Sequence, residues 1–320
     1  MYTVQVLLSS YNGEEYICEQ IDSILRQKDV DVRLLIRDDG STDHTPTIIR
    51  EYAKEYPNVS YIRGKNCGVV ASFFRLFELS DPMVNYYALA DQDDVWDEDK
   101  LKIACDKLAE LEPKHGKSKK KHKSGNNNSK TAELPLLYCC SSQPTTDTLE
   151  EIPGFKEAGK ELIPDFKNAI IENIARGGSL VFNQCLMSSV RIPMPKNVFM
   201  HDWWLYLVAT CFGKVIYDSE AHYKYRQHSG NVLGASPNGL NKARRRLKQS
   251  KTNGGHIRRQ MESFARIYKI PDDKAEAVNI ILNYQKSFKQ RLKGFSGKYL
   301  FRQNKKDNLI FRLLFFTNHL

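Results

Sequence analysis

Apolar positions in the first hundred residues switch repeatedly between a period of two and a helical period. Residues 3–9 (TVQVLLS) form a β-rich run that stops at Tyr11-Asn12-Gly13, a turn signal. Ile17, Ile21, Ile24 and Leu25 then recur at helical spacing. Residues 32–37 read as a second, buried strand ending at Asp38-Asp39-Gly40-Ser41. A helix is expected next, with Ser41 to Asp43 as cap candidates and Pro46 tolerated in its first turn. A third strand over 59–62 precedes a helix over 70–79 built on Phe73, Phe74 and Phe77, and a fourth strand, 86–90, runs into Asp91-Gln92-Asp93-Asp94. This βαβαβαβ order predicts an α/β fold with a mostly parallel central sheet and helices on its faces. Ligands of such sheets bind outside the carboxyl ends of the strands. Here those ends are residues 9–12, 38–41, 64–68 and 91–94, and all four are polar.

Further along, residues 98–111 read as an amphipathic helix, and 113–133 are a lysine-rich, low-complexity insert expected to be disordered. Order is expected to resume over 134–140. A turn at Gly177-Gly178, a strand over 180–182 and a short helix follow. Residues 201–212 predict a helix ended by Gly213, and 215–217 and 222–225 predict two strands. The pattern divides the chain into a catalytic domain over 1–235 and a basic helical C-terminal region over 236–320.

Charge sharpens that division. The chain of 320 residues carries a net charge of +10, but residues 241–320 hold 20 Lys and Arg against 5 Asp and Glu. Residues 114–130 add seven lysines and no acid, so the rest is acidic, at about −12. An acidic body with a basic tail does not suit a general nucleic-acid binder and fits contact with anionic lipid or a phosphate-bearing acceptor. Solvated helix faces rich in Lys and Arg give the same tally. The seven cysteines show no CxxC spacing, which points to a reducing compartment rather than a disulfide framework or zinc site. No basic, apolar leader opens the chain, and the longest apolar tract, 309–316, contains Arg312 and falls short of the ~20 residues of a spanning helix. A cytoplasmic protein, peripheral at the inner membrane face, is expected.

Carboxylates as close as Asp91, Asp93 and Asp94 repel unless a cation compensates them, and hard oxygen ligands select Mg²⁺ or Mn²⁺. An acidic turn in which Asp94 or Asp97 caps the next helix is the plainer alternative. In the second strand end, an aspartate carboxylate can accept the imide N–H of uracil or thymine, while Gly40 permits close backbone approach and Ser41 caps the helix. Neither GxGxxG nor GxxxxGK[ST] occurs. Asp202 lies in a first helical turn, where the macrodipole alone accounts for an acid, and Trp203 and Trp204 suit either a sugar face or the core. Arg226 can clamp phosphate, and His228 can complete a metal shell.

Taken in order, SYNG at 10–13, DDGSTD at 38–43, ADQDDVW at 90–96, HDWW at 201–204 and YRQHSGNVLG at 225–234 resemble family 2 glycosyltransferases of the GT-A fold, in their bacterial rhamnosyltransferase-like branch. The resemblance spans roughly residues 3–235. It implies that Asp39 binds the pyrimidine base, with Ser9, Tyr11 and Asn66 lining the nucleotide pocket. Asp91 and Asp93 match the family's DxD, with Asp93 ligating the metal and Asp91 supporting ribose or metal-bound water. Asp202 falls where the family places its general base, although His201 precedes it in place of the commoner Glu. His228 aligns with a metal-ligand histidine, and Gly177-Gly178 with the loop between donor and acceptor sites. The lysine-rich insert is outside the family pattern. The implied reaction is inverting transfer from a UDP- or dTDP-sugar to a glycan or lipid-linked acceptor. Two alternatives remain open at this level: a metal-dependent nucleotidyltransferase, and a non-catalytic basic membrane or nucleic-acid adaptor.

Overall fold

The computed structural model describes residues 1–112, 134–152, 158–228 and 255–319. The insert 113–133, residues 229–234 of the YRQHSGNVLG stretch and the first part of the C-terminal region lie outside the described residues. The first part of the chain follows the expected order: β1 (Tyr2–Ser10), α1 (Ile17–Leu25), β2 (Val30–Asp38), α2 (Thr45–Glu55), β3 (Val59–Arg63), α3 (Val69–Leu79) and β4 (Tyr86–Ala90). These four strands lie side by side as β3-β2-β1-β4, all parallel. Leu7 stands opposite Leu35 and Leu8 opposite Ile36, so successive residues point to opposite faces. Val4, Val6 and Leu8 pack with Ile17, Ile21 and Ile24 on one face. Leu7, Leu35 and Leu89 pack with Phe73, Phe74 and Phe77 on the other. Burial on both faces accounts for strands that read as continuous apolar runs.

Beyond β4 the sheet gains β5 (Val95–Trp96), β6 (Leu136–Thr145), β7 (Val181–Asn183) and β8 (Lys214–Arg226), giving eight strands in the order β3-β2-β1-β4-β7-β6-β8-β5. β6 and β8 are parallel, whereas β7 and β5 pair antiparallel with their neighbours. Here the pattern misled in three places. The two strands expected over 215–217 and 222–225 are one, because register shifts against β6 absorb the polar Ser219 and Glu220 within it. The helix α4 (Lys100–Leu111) has Asp99 at its N-cap, so Asp94 caps nothing. Ser41 is not the cap of α2 either: the Asp43 carboxylate accepts the Thr45 N–H at 3.0 Å, and the Ser41 hydroxyl accepts the Asn12 N–H at 2.9 Å.

Four further helices precede the C-terminal group or begin it: α5 (Phe166–Ala169), α6 (Gln184–Val190), α7 (His201–Phe212) and α8, a helical run over residues 255–267. α9 (Asp272–Asn283), α10 (Phe288–Phe295) and α11 (Lys305–Phe316) complete the chain. Met261, Phe264, Ile280 and Phe315 belong to the same apolar cluster as Phe73 and Trp204. Trp204 is wholly buried, its ring centroid 5.4 Å from that of Phe264, and Trp203 donates its indole N–H to the Ala169 carbonyl at 2.5 Å. Of the two roles open to them, both tryptophans therefore take the core one, not the sugar face. Truncating a tryptophan so placed costs about 3–5 kcal/mol. Trp204→Ala is expected to lower the urea midpoint accordingly at an unchanged slope, and a cost below ~1 kcal/mol would contradict this packing.

Candidate active site

Hydrogen bonds that reach across the strand ends tie them into one surface. The Asp39 N–H donates to the Ser10 carbonyl at 2.7 Å, joining the ends of β1 and β2. Asn12, at φ +47°, accepts the Thr42 N–H on its side chain at 2.9 Å. The Gln92 amide bridges to the first strand end, accepting from the Tyr11 N–H at 2.8 Å and donating to the Tyr11 carbonyl at 3.1 Å. Gly13 has no Cβ because one would collide with that amide. Gly40, at φ +82°, lets the backbone of exposed Asn66 approach: a Cβ there would stand 2.9 Å from the Asn66 nitrogen. Sequence gave no signal for Gln92, whose partner is 81 residues away.

Asp39 is buried, and burial opposes its ionisation. Arg37, the Cys67 thiol and the amides of Cys67 and Gly68 outweigh that and hold its carboxyl below the usual range. Arg37 donates to Asp39 Oδ1 at 2.6 Å and to the Ser72 hydroxyl at 2.8 Å, and that hydroxyl lies 2.6 Å from the Ser9 hydroxyl. Ser9 and Asp39 are thus joined through Arg37 and Ser72, two residues that periodicity assigned only to a strand and a helix. The amides of Cys67 and Gly68 reach Asp39 Oδ2 at 3.2 and 2.8 Å. Tyr11 is exposed at the rim.

The acidic run meets α7 across Gly177-Gly178. A Cβ on Gly178 would stand 2.5 Å from Asp94 Oδ2 and 3.8 Å from Asp91 Oδ2. On Gly177 it would stand 3.7 Å from Asp91 Oδ2 and 3.9 Å from Asp202 Oδ2. The two glycines form a floor on which three carboxylates converge. Asp202 is oriented by the Gly177 N–H at 3.1 Å and its neighbour Trp203 N–H at 2.6 Å. His201 is buried and stacked on Phe73, with ring centroids 3.8 Å apart. Burial pushes its imidazole pKa down to about 3, so it is neutral.

His228 Nε2 lies 2.7 Å from Asp93 Oδ2, so the structure brings these two expected ligands together across 135 residues. Asp91 faces the glycine floor instead, and among the described residues no group of three or more His, Cys, Asp or Glu side chains is arranged to hold a metal ion. The expected set of Asp91, Asp93 and His228 is therefore not assembled as one cluster. The chemistry still fits a hard divalent cation: one carboxylate and one imidazole meet, and both Asp94 oxygens are buried without a hydrogen-bond partner. Mg²⁺ commonly takes one or two carboxylates and completes its shell from substrate phosphates.

Arg226 departs from the phosphate-clamp expectation. It is 3% exposed, with its guanidinium on Glu19, on the Asp147 carbonyl and, at 2.9 Å, on the Asp93 carbonyl, and it lies over the Tyr16 ring. Its donors hold the acidic loop in place. Glu19 and Tyr16, at the start of α1, carried no functional pattern.

Residues 5–134 match the family model described as glycosyl transferase family 2. The dTDP-rhamnosyl transferase RfbG of Shigella flexneri is 32% identical over 246 residues, covering 72% of this chain and 74% of that protein. Among solved structures, S. aureus TarS 1–349 in complex with UDP-GlcNAc matches with a TM-score of 0.58 at 16% identity, over 99% of this chain and 79% of that one. The mannosyltransferase PcManGT from Pyrobaculum calidifontis, in complex with GDP-Man and Mn²⁺, gives 0.54 at 15% identity, over 90% of this chain and 71% of that one. These two likenesses bear on the fold, the GT-A arrangement expected from the sequence.

Gathering carboxylates on an apolar floor has an electrostatic cost. Burial, Asp93 and Asp202 push the Asp91 carboxyl up to about 7, and burial pushes Asp202 up to about 6 despite its two amide donors. Asp94 is raised for the same reasons, burial first and then Asp93 and Asp91. A raised folded pKa means that the native chain binds more protons than the unfolded chain, whose aspartates titrate near ~3.9. Stability therefore falls as pH rises from about 4 to 7, and the loss is complete above the folded values. Asp91→Asn cannot ionise. It is expected to melt a few °C above the metal-free parent at pH 8, with the gap closing towards pH 5. Equal melting temperatures at both pH values would show that Asp91 is not strained by its neighbours.

Proposed function

The chain belongs to glycosyl transferase family 2, and from that premise we propose that it is an inverting transferase. It moves a sugar from a UDP- or dTDP-sugar, with dTDP-L-rhamnose the first candidate, to a hydroxyl of a growing cell-surface polysaccharide or lipid-linked glycan in the cytoplasm. The observation that carries this reading is Asp202: a buried carboxylate, oriented by the Gly177 and Trp203 amides, beside the end of β4. The dTDP-rhamnosyl transferase relative supports the choice of donor.

Asp39 reads the base by accepting the imide N–H of uracil or thymine. Asp39 already accepts from Arg37, the Cys67 thiol and the Cys67 and Gly68 amides, which fill the about four lone-pair sites of a carboxylate, so the imide must displace one of these donors, the weak thiol first. Ser9, Tyr11 and Asn66 border the same end of the sheet. Asp202 takes the proton of the acceptor hydroxyl as that oxygen attacks the anomeric carbon. The bond from that carbon to the diphosphate breaks on the opposite side, and a nucleoside diphosphate leaves. A carboxyl raised to about 6 is ionised at neutral pH yet more basic than a free aspartate, which suits a general base. A divalent cation, Mg²⁺ or Mn²⁺, supplies charge neutralisation at the departing diphosphate. Asp93 and His228 are the residues to hold it, with Asp91 at the ribose side. Arg226 acts at one remove, by holding the Asp93 backbone.

The nucleotidyltransferase and adaptor alternatives are not retained, since the family is one of glycosyl transfer. A donor screen reading nucleoside diphosphate release tests the donor, with dTDP-L-rhamnose expected to lead and pyrophosphate release counting against glycosyl transfer. Asp202→Asn is expected to bind dTDP as the parent does while transfer falls by roughly 10²–10⁴-fold, the range for loss of a general base. Full transfer by that variant would remove Asp202 from the mechanism.

A further inference from the structure

Two adjacent helices at the end of the chain expose apolar side chains in register. On α10, Phe288, Leu292 and Phe295 recur at i, i+4 and i+7 and are 37–59% exposed. On α11, Leu309, Leu313 and Phe316 have the same spacing, and Leu309 and Leu313 are about half exposed, as is Ile310. Phe316 joins the two stripes, its ring centroid 5.6 Å from that of Phe288 and 5.4 Å from that of Phe295. The opposite side of α11 is already used: Phe311 and Phe315 are buried, and Phe315 stacks on Tyr284 with centroids 4.7 Å apart. The outward stripe is thus a second apolar face, beyond what the core requires.

The charge around it selects its partner. Residues 284–320 carry nine Lys and Arg against the single acid Asp307. Lys289, Lys298, Lys305 and Lys306 are exposed beside the stripes. We propose that α10 and α11 form a docking surface for an anionic lipid bilayer, laying their apolar stripes into the headgroup boundary with the lysines on acidic headgroups. A second copy of the chain offers a poorer fit, because pairing this face with itself would set two strongly basic surfaces against each other. A nucleic acid would satisfy the lysines and leave the phenylalanines and leucines in water. Among the described residues no helix is long and apolar enough to cross a membrane, so the contact is one of lying on the surface.

The docking unit is fastened to α5 and the segment that follows it. The Asn168 side chain donates to the Phe301 carbonyl at 3.1 Å, and Glu172 accepts the Gln303 N–H at 2.7 Å. Glu172 precedes Gly177 by five residues. The loop between α10 and α11 is thereby tied to the segment that leads into the glycine floor. The surface is formed by these two helices and does not depend on the reaction, so lipid binding and sugar transfer can fail independently.

The test is flotation of the full chain with phosphatidylcholine vesicles containing or lacking phosphatidylglycerol. Partitioning is expected to be roughly tenfold or more stronger on the anionic vesicles. Salt should weaken it without abolishing it, because the apolar stripes contribute independently. The variant Phe288→Ser/Leu292→Ser/Leu309→Ser/Leu313→Ser should lose flotation at high salt, and Lys289→Gln/Lys298→Gln/Lys305→Gln/Lys306→Gln should lose the preference for phosphatidylglycerol while keeping the parent's melting temperature. Equal flotation with both vesicle types, or parent-like flotation by folded variants, would overturn the proposal. Self-association abolished by the serine variant, with no vesicle binding by the parent, would overturn it in favour of a second copy.

Discussion

Repulsion between carboxylates held on a floor without side chains is the constraint around which this protein is arranged. Asp91 and Asp94 leave the end of β4, and Asp202 opens α7, so both elements aim negative charge at the same two glycines. Any side chain on Gly178 would enter the space of Asp94, and one on Gly177 would press on His201. Folding alone gains nothing from such an arrangement. In the function proposed above, a cation and a diphosphate would relieve that repulsion, which is how a nucleotide-sugar site could use it.

The rest of the site is built to resist that repulsion. Arg226 joins Glu19 on α1 to the Asp93 carbonyl, so the acidic loop cannot swing outward without breaking a buried guanidinium contact. Gln92 fastens the same loop to Tyr11 at the end of β1. Beneath it, Lys100 is buried with its ammonium 3.3 Å from the Trp96 ring centroid, and burial lowers its pKa to about 8. That cation partly offsets Asp94 from below. On the nucleotide side Arg37 does similar duty for Asp39, with the difference that the pair is in direct contact.

Local pattern carried much of this. The alternation of buried strands with helices gave the order of β1 to β4 and α1 to α3, and placed the four strands and α3 within two residues of their ends, because both faces of a parallel sheet leave their mark on the sequence. It also put Asp39 and Asp91 at strand ends on the same edge of the sheet, on either side of β1, where burial of the strands leaves polar termini only one place to go. What pattern could not carry was contact at long separation. Arg226 looked like a phosphate ligand because nothing near it in the chain shows Glu19, 207 residues away. Asp94 looked like a helix cap because its partner surface, Gly178, is also far along the chain. The break expected inside β8 was a bulge, which polar residues mark in the same way as a turn. Trp203 and Trp204 beside an acid suited a sugar platform and the core equally, and only the depth of α7, a property of packing, decides for the core.

If the raised carboxyls exist to receive a cation bound to a diphosphate, binding must drive protons off them. Calorimetric titration of preformed Mn²⁺–dTDP at pH 6.5, in two buffers of different ionisation enthalpy, counts those protons directly. With Asp91 at about 7 in the empty site, the account requires net proton release on binding, reduced in Asp91→Asn. Binding with no proton release, or release unchanged in that variant, would contradict it.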